Sequence, residues 1–275
     1  MEFNIKRDVF LNAVQKTMGI VERKTTMPIL NNILIRTEGE RIKVVATDKE
    51  LGLISRYDAQ ILQSGDITLS AKKLYEMLRE IQGEDIHLLK KDNNQVVMTS
   101  QKVLYRISGL PAEDYPNVME VDDIPYFSVS ASVLRAMIQK TAFAVSTDEL
   151  RLNLTGVYFE TEESVNGPRL RMSATDGHRL AMAVSHPGEN GGMLLEKGVI
   201  IPRKGLMEIR RLLEDEEGEV SMGLDHGMFY VKTADTTLKV SLIDAEYPDY
   251  RRVIPLDKAI VLRVEKKPIL HALRR

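Results

Sequence analysis

The chain repeats itself, and that constrains its fold more than any other feature. At an offset of 124, Phe3-Asn4-Ile5 lies over Phe127-Ser128-Val129, Val9 over Val133 and Gln15-Lys16-Thr17 over Gln139-Lys140-Thr141. Arg36-Thr37-Glu38 lies over Glu160-Thr161-Glu162 at the same offset. The two Ala-Thr-Asp turns, Ala46-Thr47-Asp48 and Ala174-Thr175-Asp176, match at 128; the extra residues fall in the Gly/Pro loop Ser164–Pro168, where insertions are cheap. At 132, Ile67-Thr68-Leu69 lies over Val199-Ile200-Ile201, Lys72 over Lys204, Leu74 over Leu206, and Tyr115-Pro116 over Tyr247-Pro248. Each copy reads strand, helix, strands, hairpin, strand, helix, strands and a Tyr-Pro exit. Self-similarity on this scale means a supersecondary design used more than once.

A third copy starts and stops. Leu262-Arg263-Val264 lies over Phe127-Ser128-Val129, and Pro268–Leu273 over Val133–Ile138, before the sequence ends at Arg275. The expectation is two full units, 1–120 and 126–252, followed by the start of a third at 253–275, with about 100 residues of that unit absent because a unit cannot bury its core from one helix. The 275 residues suit two domains of ordinary size.

Apolar residues at three- and four-residue spacing mark four short helices. Arg7–Val21 carries Val9, Phe10, Ala13, Val14, Met18 and Val21 on one face; Ala71–Ile81 carries Leu74, Tyr75, Met77, Leu78 and Ile81. Their counterparts are Ser132–Ala144, with Val133, Leu134, Met137, Ile138 and Thr141, and Arg203–Leu213, with Leu206, Met207, Ile209 and Leu213. Two helices per unit among many strands predict an α+β fold with helices segregated to one face of antiparallel sheet. The helices' polar faces are basic: Lys16, Lys72, Lys73, Arg79, Arg135, Lys140, Arg203, Lys204, Arg210 and Arg211. Carboxylates concentrate elsewhere, at Glu120–Asp123 and Glu214–Glu217, so a chain of net charge −2 can still present a basic surface.

The stretch Ser173-Ala174-Thr175-Asp176-Gly177-His178-Arg179-Leu180 reads as a strand entering a hairpin, with Asp176-Gly177 as a two-residue turn and a second strand from Arg179. A catalytic reading of Asp176, His178 and Ser173 or Ser185 has no nucleophile elbow or oxyanion glycine run behind it. The five histidines, His87, His178, His186, His226 and His271, have no metal-ligand spacing. No phosphate-binding or dinucleotide glycine motif is present. We therefore expect no catalytic residues, no metal and no cofactor. With no cysteine, disulfides and thiol chemistry are excluded. That absence, no apolar stretch long enough to span a bilayer and no leader-like start together predict a cytoplasmic protein without membrane association.

These features resemble the bacterial DNA polymerase III β subunit, the sliding clamp. The resemblance rests on the repeat, Thr26-Met27-Pro28-Ile29-Leu30, Ala174–Leu180, Ile201-Pro202-Arg203-Lys204 and Tyr247-Pro248-Asp249-Tyr250-Arg251-Arg252-Val253. It implies the DNA-clamp fold: repeated βαβββ halves, antiparallel sheets outside and two helices per domain on the inner face. It implies a non-catalytic processivity factor of the polymerase holoenzyme that closes head to tail as a homodimer ring around double-stranded DNA. Its implied partners are a clamp loader, the replicative polymerase catalytic subunit and other DNA enzymes, bound through linear peptides. The implied peptide pocket comprises Leu154, Thr175, Gly177, His178, Arg179, Leu180, Pro248, Arg252 and Val253. The implied DNA-facing residues are Lys24 and Lys72, to which the helix-face argument adds Lys73, Arg203 and Lys204. The loop Asp148–Asn153 departs from the family, since Leu152 and Asn153 cannot stack on a base. A chain lacking most of a third domain is expected to leave a first-domain edge unmatched and its last helix poorly packed. The alternative reading is a fragment, monomeric or aberrantly associated, that binds peptides or the loader without encircling DNA.

Overall fold

The computed structural model describes residues 1–21, 27–165, 167–186, 195, 197–255 and 262–275. The first unit runs β1 (Glu2–Lys6), α1 (Arg7–Thr17), β2 (Asn32–Glu38), β3 (Arg41–Thr47), β4 (Leu51–Asp58), β5 (Gln60–Gln63), β6 (Asp66–Ser70), α2 (Ala71–Glu80), β7 (Asp85–Lys90), β8 (Gln95–Ser100) and β9 (Val103–Ser108). The second runs β10 (Tyr126–Ser130), α3 (Ala131–Thr141), β11 (Gly156–Glu162), β12 (Arg169–Thr175), β13 (Leu180–Ser185), β14 (Val199–Pro202), α4 (Arg203–Leu212), β15 (Glu219–Asp225), β16 (Met228–Lys232) and β17 (Thr236–Ser241). A last helix, α5 (Lys266–Leu273), follows. Apart from β5, each unit is two βαβββ halves, as the repeat predicts.

The sheets follow the strand periodicity. In β8, Val96, Met98 and Ser100 point inward, alternating with less buried residues. One sheet has the order β5-β1-β7-β8-β9 and another β13-β12-β11-β14; between them lies an eight-stranded sheet, β10-β15-β16-β17-β4-β3-β2-β6. That large sheet joins the units, because β17 pairs antiparallel with β4, Leu238 opposite Leu53 and Val240 opposite Leu51. By the repeat, β9 corresponds to β17 and β13 to β4. The strands equivalent to the joined pair are thus the free edges of the two smaller sheets.

The helices pack α1 on α2 and α3 on α4, over a core drawn from both units. In α2, Leu74 and Leu78 are buried and Tyr75 and Met77 pack at its margin. The helix α1 ends at Thr17, earlier than its apolar pattern suggests, with Phe10, Ala13, Val14 and Thr17 buried and Val9 exposed. Arginine side chains from the first helix of each pair close the second: Arg7 donates to the carbonyls of Leu78 and Arg79, and Arg135 to those of Leu213 and Glu214. Positive charge on the terminal carbonyls suits the helix dipole. The helix α5 buries none of its residues.

The connection between units is held by charge. Glu120 receives Arg56 at 2.7 Å and lies 3.6 Å from Lys43, both from the first unit; Lys232 of the second reaches Asp122 at 2.7 Å and the Val121 carbonyl at 3.1 Å. Arg211 on α4 donates to the Gln15 carbonyl on α1 at 2.8 Å.

Candidate functional site

The two Ala-Thr-Asp turns have the same geometry. In the second unit, the Asp176 carboxylate accepts from the backbone amides of His178 and Arg179 at 2.9 and 3.0 Å. The Thr175 hydroxyl accepts from the Gly177 amide at 3.1 Å and donates to the Arg179 carbonyl at 2.7 Å. In the first unit Asp48 accepts from Glu50 and Leu51, while Thr47 accepts from Lys49 and donates to the Leu51 carbonyl. The third residue takes positive φ in both, +82° at Lys49 and +91° at Gly177, where glycine is unstrained.

The expected two-residue hairpin is corrected here. Thr175 pairs with Leu180, so Asp176–Arg179 is a four-residue loop and the strand resumes at Leu180. The Asp and Thr side chains satisfy the loop amides, which allows the wider turn. Arg179 also meets Asp176 at 2.9 Å and lies 5.6 Å over the Phe143 ring. Two backbone amides, and then Arg179, hold the Asp176 carboxyl down at about 2. A group with a depressed folded-state pKa stabilises above its ordinary value, 3.8, and loses that contribution as pH falls through the folded value. The carboxyl carbon of Asp176, followed by NMR, is expected to titrate near pH 2; a midpoint near 4 would contradict the turn geometry.

What surrounds the turns differs. In the first unit the exit segment closes over the sheet: a Cβ on Gly52 would lie 2.7 Å from a Val118 methyl, and Ile29, Leu34, Val45, Ile54, Ala112 and Tyr115 are buried beneath. In the second unit Leu180 stands where Gly52 is, with a side chain too large for that closure. It packs with Leu154, Ile200, Tyr247 and Tyr250. Met182 and Val184, on the same strand face as Leu180, are 40% and 46% exposed. Among the implied pocket residues, Leu154 is buried and Thr175 and Leu180 half-buried, while Gly177, His178 and Arg179 are exposed on one turn. Pro248, Arg252 and Val253 are exposed on the exit segment, where Arg252 pairs with Asp249 at 2.9 Å.

Buried tyrosines fix that segment. The Tyr247 ring stacks on Tyr158 with centroids 4.8 Å apart and planes 9° from parallel. Its hydroxyl lies 3.3 Å from the Ser173 carbonyl, and burial pushes the phenol up to about 12 against the hydrogen bond with the Thr175 backbone. Tyr115 serves the first turn likewise, accepting from the Thr47 amide and donating to the Asn32 carbonyl, both at 3.1 Å. The Tyr-Pro repeat carried this signal, but not which backbone groups the hydroxyls would meet.

The basic residues divide. Lys72, Lys73 and Arg203 are exposed at the starts of α2 and α4, with Lys72 3.8 Å from Glu76. Lys24 lies outside the described residues. Lys204 is bonded to Asp48, whose side chain is only 1% exposed, so its ammonium joins the units. Arg211 and Arg135, read from sequence as part of a basic face, hold backbone carbonyls. Among the described residues, no group of three or more His, Asp or Glu could hold a metal ion, and no helix is long and apolar enough to cross a membrane.

Two units of paired βαβββ halves, fused through a continuous sheet with their helices packed in pairs, define the DNA-clamp class of fold. Residues 1–119 match the N-terminal domain of the DNA polymerase III beta subunit, and residues 128–249 match its central domain. The chain belongs to that family, the β sliding clamps, which are non-catalytic accessory subunits of DNA polymerase III. It is 34% identical over 267 residues to the beta sliding clamp of Pseudomonas aeruginosa, covering 95% of this chain and 70% of that one. With that of Caulobacter vibrioides it shares 36% over 278 residues, covering 100% and 74%. The solved Caulobacter crescentus pol III beta superposes with a TM-score of 0.87 at 37% identity, over 94% of this chain and 70% of that one. A Pseudomonas aeruginosa DnaN sliding clamp bound to griselimycin superposes with a TM-score of 0.85 at 34% identity, over 94% and 69%.

Proposed function

We propose that this processivity clamp works in the cytoplasm by encircling double-stranded DNA and docking partner proteins on the second unit, with domains at 1–120 and 126–252 and a third beginning at 253. The docking surface is the turn Thr175–Leu180, the apolar floor Leu154 and Leu180, and the segment bearing Pro248, Arg252 and Val253. The observation that carries this reading is the contrast between the copies: one turn, covered by Val118 in the first unit and left open beside Leu180 in the second. An apolar floor rimmed by a few placed polar groups suits a linear peptide, such as one from the replicative polymerase catalytic subunit, the clamp loader or a repair enzyme. Titrating a polymerase-tail peptide against the chain tests the site.

For the ring, the free edges β9 and β13 are the counterparts of β17 and β4, which join the units. Repetition of that joint with a third unit supports a head-to-tail homodimer, since a heterologous contact that rotates to closure makes a ring. Lys72, Lys73 and Arg203, with Lys24, supply the phosphate contacts. Long cationic side chains neutralise phosphates without reading sequence, as sliding requires. In a form carrying the third domain, replacing Lys24, Lys72, Lys73 and Arg203 by alanine is expected to weaken duplex binding equally across sequences and to flatten its salt dependence. An unchanged salt slope would remove these residues from the DNA-facing surface.

A further inference from the structure

Glu160 is the buried carboxylate of the second unit that neither the DNA-facing surface nor the docking turn uses. It lies on β11 with 10% of its side chain exposed. Two of its partners come from the exit segment: the Tyr250 hydroxyl donates to one carboxylate oxygen, and Arg251 donates to the other at 2.9 Å. Arg171 on β12 lies 3.9 Å away and is itself paired to Glu162 at 2.7 Å. Glu160 thus ties β11 to the stretch Pro248–Val253.

The repeat supplies an internal comparison. Glu162 and Arg171 have first-unit counterparts in Glu38 and Lys43, which pair at 3.3 Å. Glu160 corresponds to Arg36, which instead meets Asp66 at 3.1 Å on its own sheet, and Tyr250 corresponds to Val118. The Glu38–Lys43 type of pair is therefore common to both copies, whereas the exit segments are anchored differently: through Glu120 to Arg56 and Lys43 in the first unit, and through Tyr250 and Arg251 to Glu160 in the second. The difference has a physical reason. In the first unit Val118 packs directly onto Gly52, next to the Glu120 carboxylate that meets Arg56 and Lys43. In the second, Leu180 occupies that space and packs with Tyr247 and Tyr250, and the Glu160 carboxylate adds a hydrogen-bonded anchor to the same segment.

We infer that Glu160 is a positioning residue of the peptide-docking site, holding Pro248, Arg252 and Val253 in place through Tyr250 and Arg251. The inference rests on the docking reading above. A buried charge is tolerated only when paired and hydrogen-bonded, so removing the negative charge leaves Arg251 without its partner and frees the segment.

The test compares Glu160→Gln and Tyr250→Phe, which keeps the ring and loses only the hydroxyl, with the parent chain. Binding of a 20-residue peptide from the C-terminus of the replicative polymerase catalytic subunit is measured by fluorescence anisotropy, and amide hydrogen exchange is read over 248–254. Each variant is expected to bind about tenfold more weakly and to exchange faster in that segment. The double variant should lose no more than the worse single one, because both changes break one link. Arg36→Ala, the first-unit counterpart, should leave peptide binding unaltered. Peptide affinity within twofold of the parent for Glu160→Gln or Tyr250→Phe, even with lowered melting temperature, overturns the inference and leaves Glu160 a purely structural group. Arg179→Ala with Leu180→Ala separates the two readings. If that pair leaves peptide binding intact, the docking reading fails, while slow exchange in 248–254 that ignores Glu160→Gln refutes the tether itself.

Discussion

Lys204→Ala is expected to destabilise the chain by about 2–3 kcal/mol, more than Asp48→Asn, which is expected to cost about 1 kcal/mol. The two changes break one ion pair, but the environments of its members differ. The Asp48 side chain is 1% exposed, whereas Lys204 is 45% exposed. Removing the lysine strands a carboxylate inside the joint between the units, where the amides of Glu50 and Leu51 remain its partners among the described residues. Removing the charge of Asp48 leaves an amide oxygen able to accept those same bonds and an ammonium able to turn to water. Urea unfolding of the single and double variants measures both the costs and the coupling. If Lys204→Ala leaves stability intact and lowers duplex affinity instead, the lysine belongs with Lys72 and Arg203 on the proposed phosphate-facing surface.

Arg179→Ala combined with Leu180→Ala is expected to weaken a polymerase-tail peptide by about 1–3 kcal/mol, roughly 5- to 150-fold. Leu180 contributes because it is half-buried in the cluster with Leu154, Tyr247 and Tyr250, so its truncation removes apolar area from that surface. Arg179 contributes through an exposed guanidinium held in place by Asp176 and lying over Phe143, which lowers the entropy of ordering it on binding. Isothermal titration separates this from unfolding, since the turn's own hydrogen bonds run through Asp176, Thr175 and backbone. The corresponding first-unit change, Leu51→Ala, removes a buried core residue and should lower stability without touching peptide affinity. Equal peptide affinity for the parent and the doubly substituted chain would exclude this face as the docking surface.

Much of the architecture was legible because it depends on local periodicity. The offsets of 124, 128 and 132 located both copies, and the spacing of Leu74, Leu78, Leu206 and Ile209 located the inner faces of α2 and α4. The turn was legible as a turn, but its width was not. Asp-Gly favours a two-residue loop locally, and only the side-chain bonds of Asp176 and Thr175 to successive amides open it to four. Basic residues were legible as basic, but their tasks were not. A lysine on a helix surface reads alike whether it faces solvent, as Lys72 does, or a carboxylate 156 positions earlier in the chain, as Lys204 does.

The sequence by itself therefore determined the repeat, the four inner helices and the family to which the chain belongs, because each is written in residues close together or at constant spacing. Only the tertiary structure decided which copy of the turn lies open. That outcome depends on whether Gly52 or Leu180 faces the exit segment, and on what the segment sets there, Val118 in the first unit and Tyr250, bonded to Glu160, in the second. Both are contacts between residues about 65 to 90 positions apart, and the steric room between them exists only once the strands have paired.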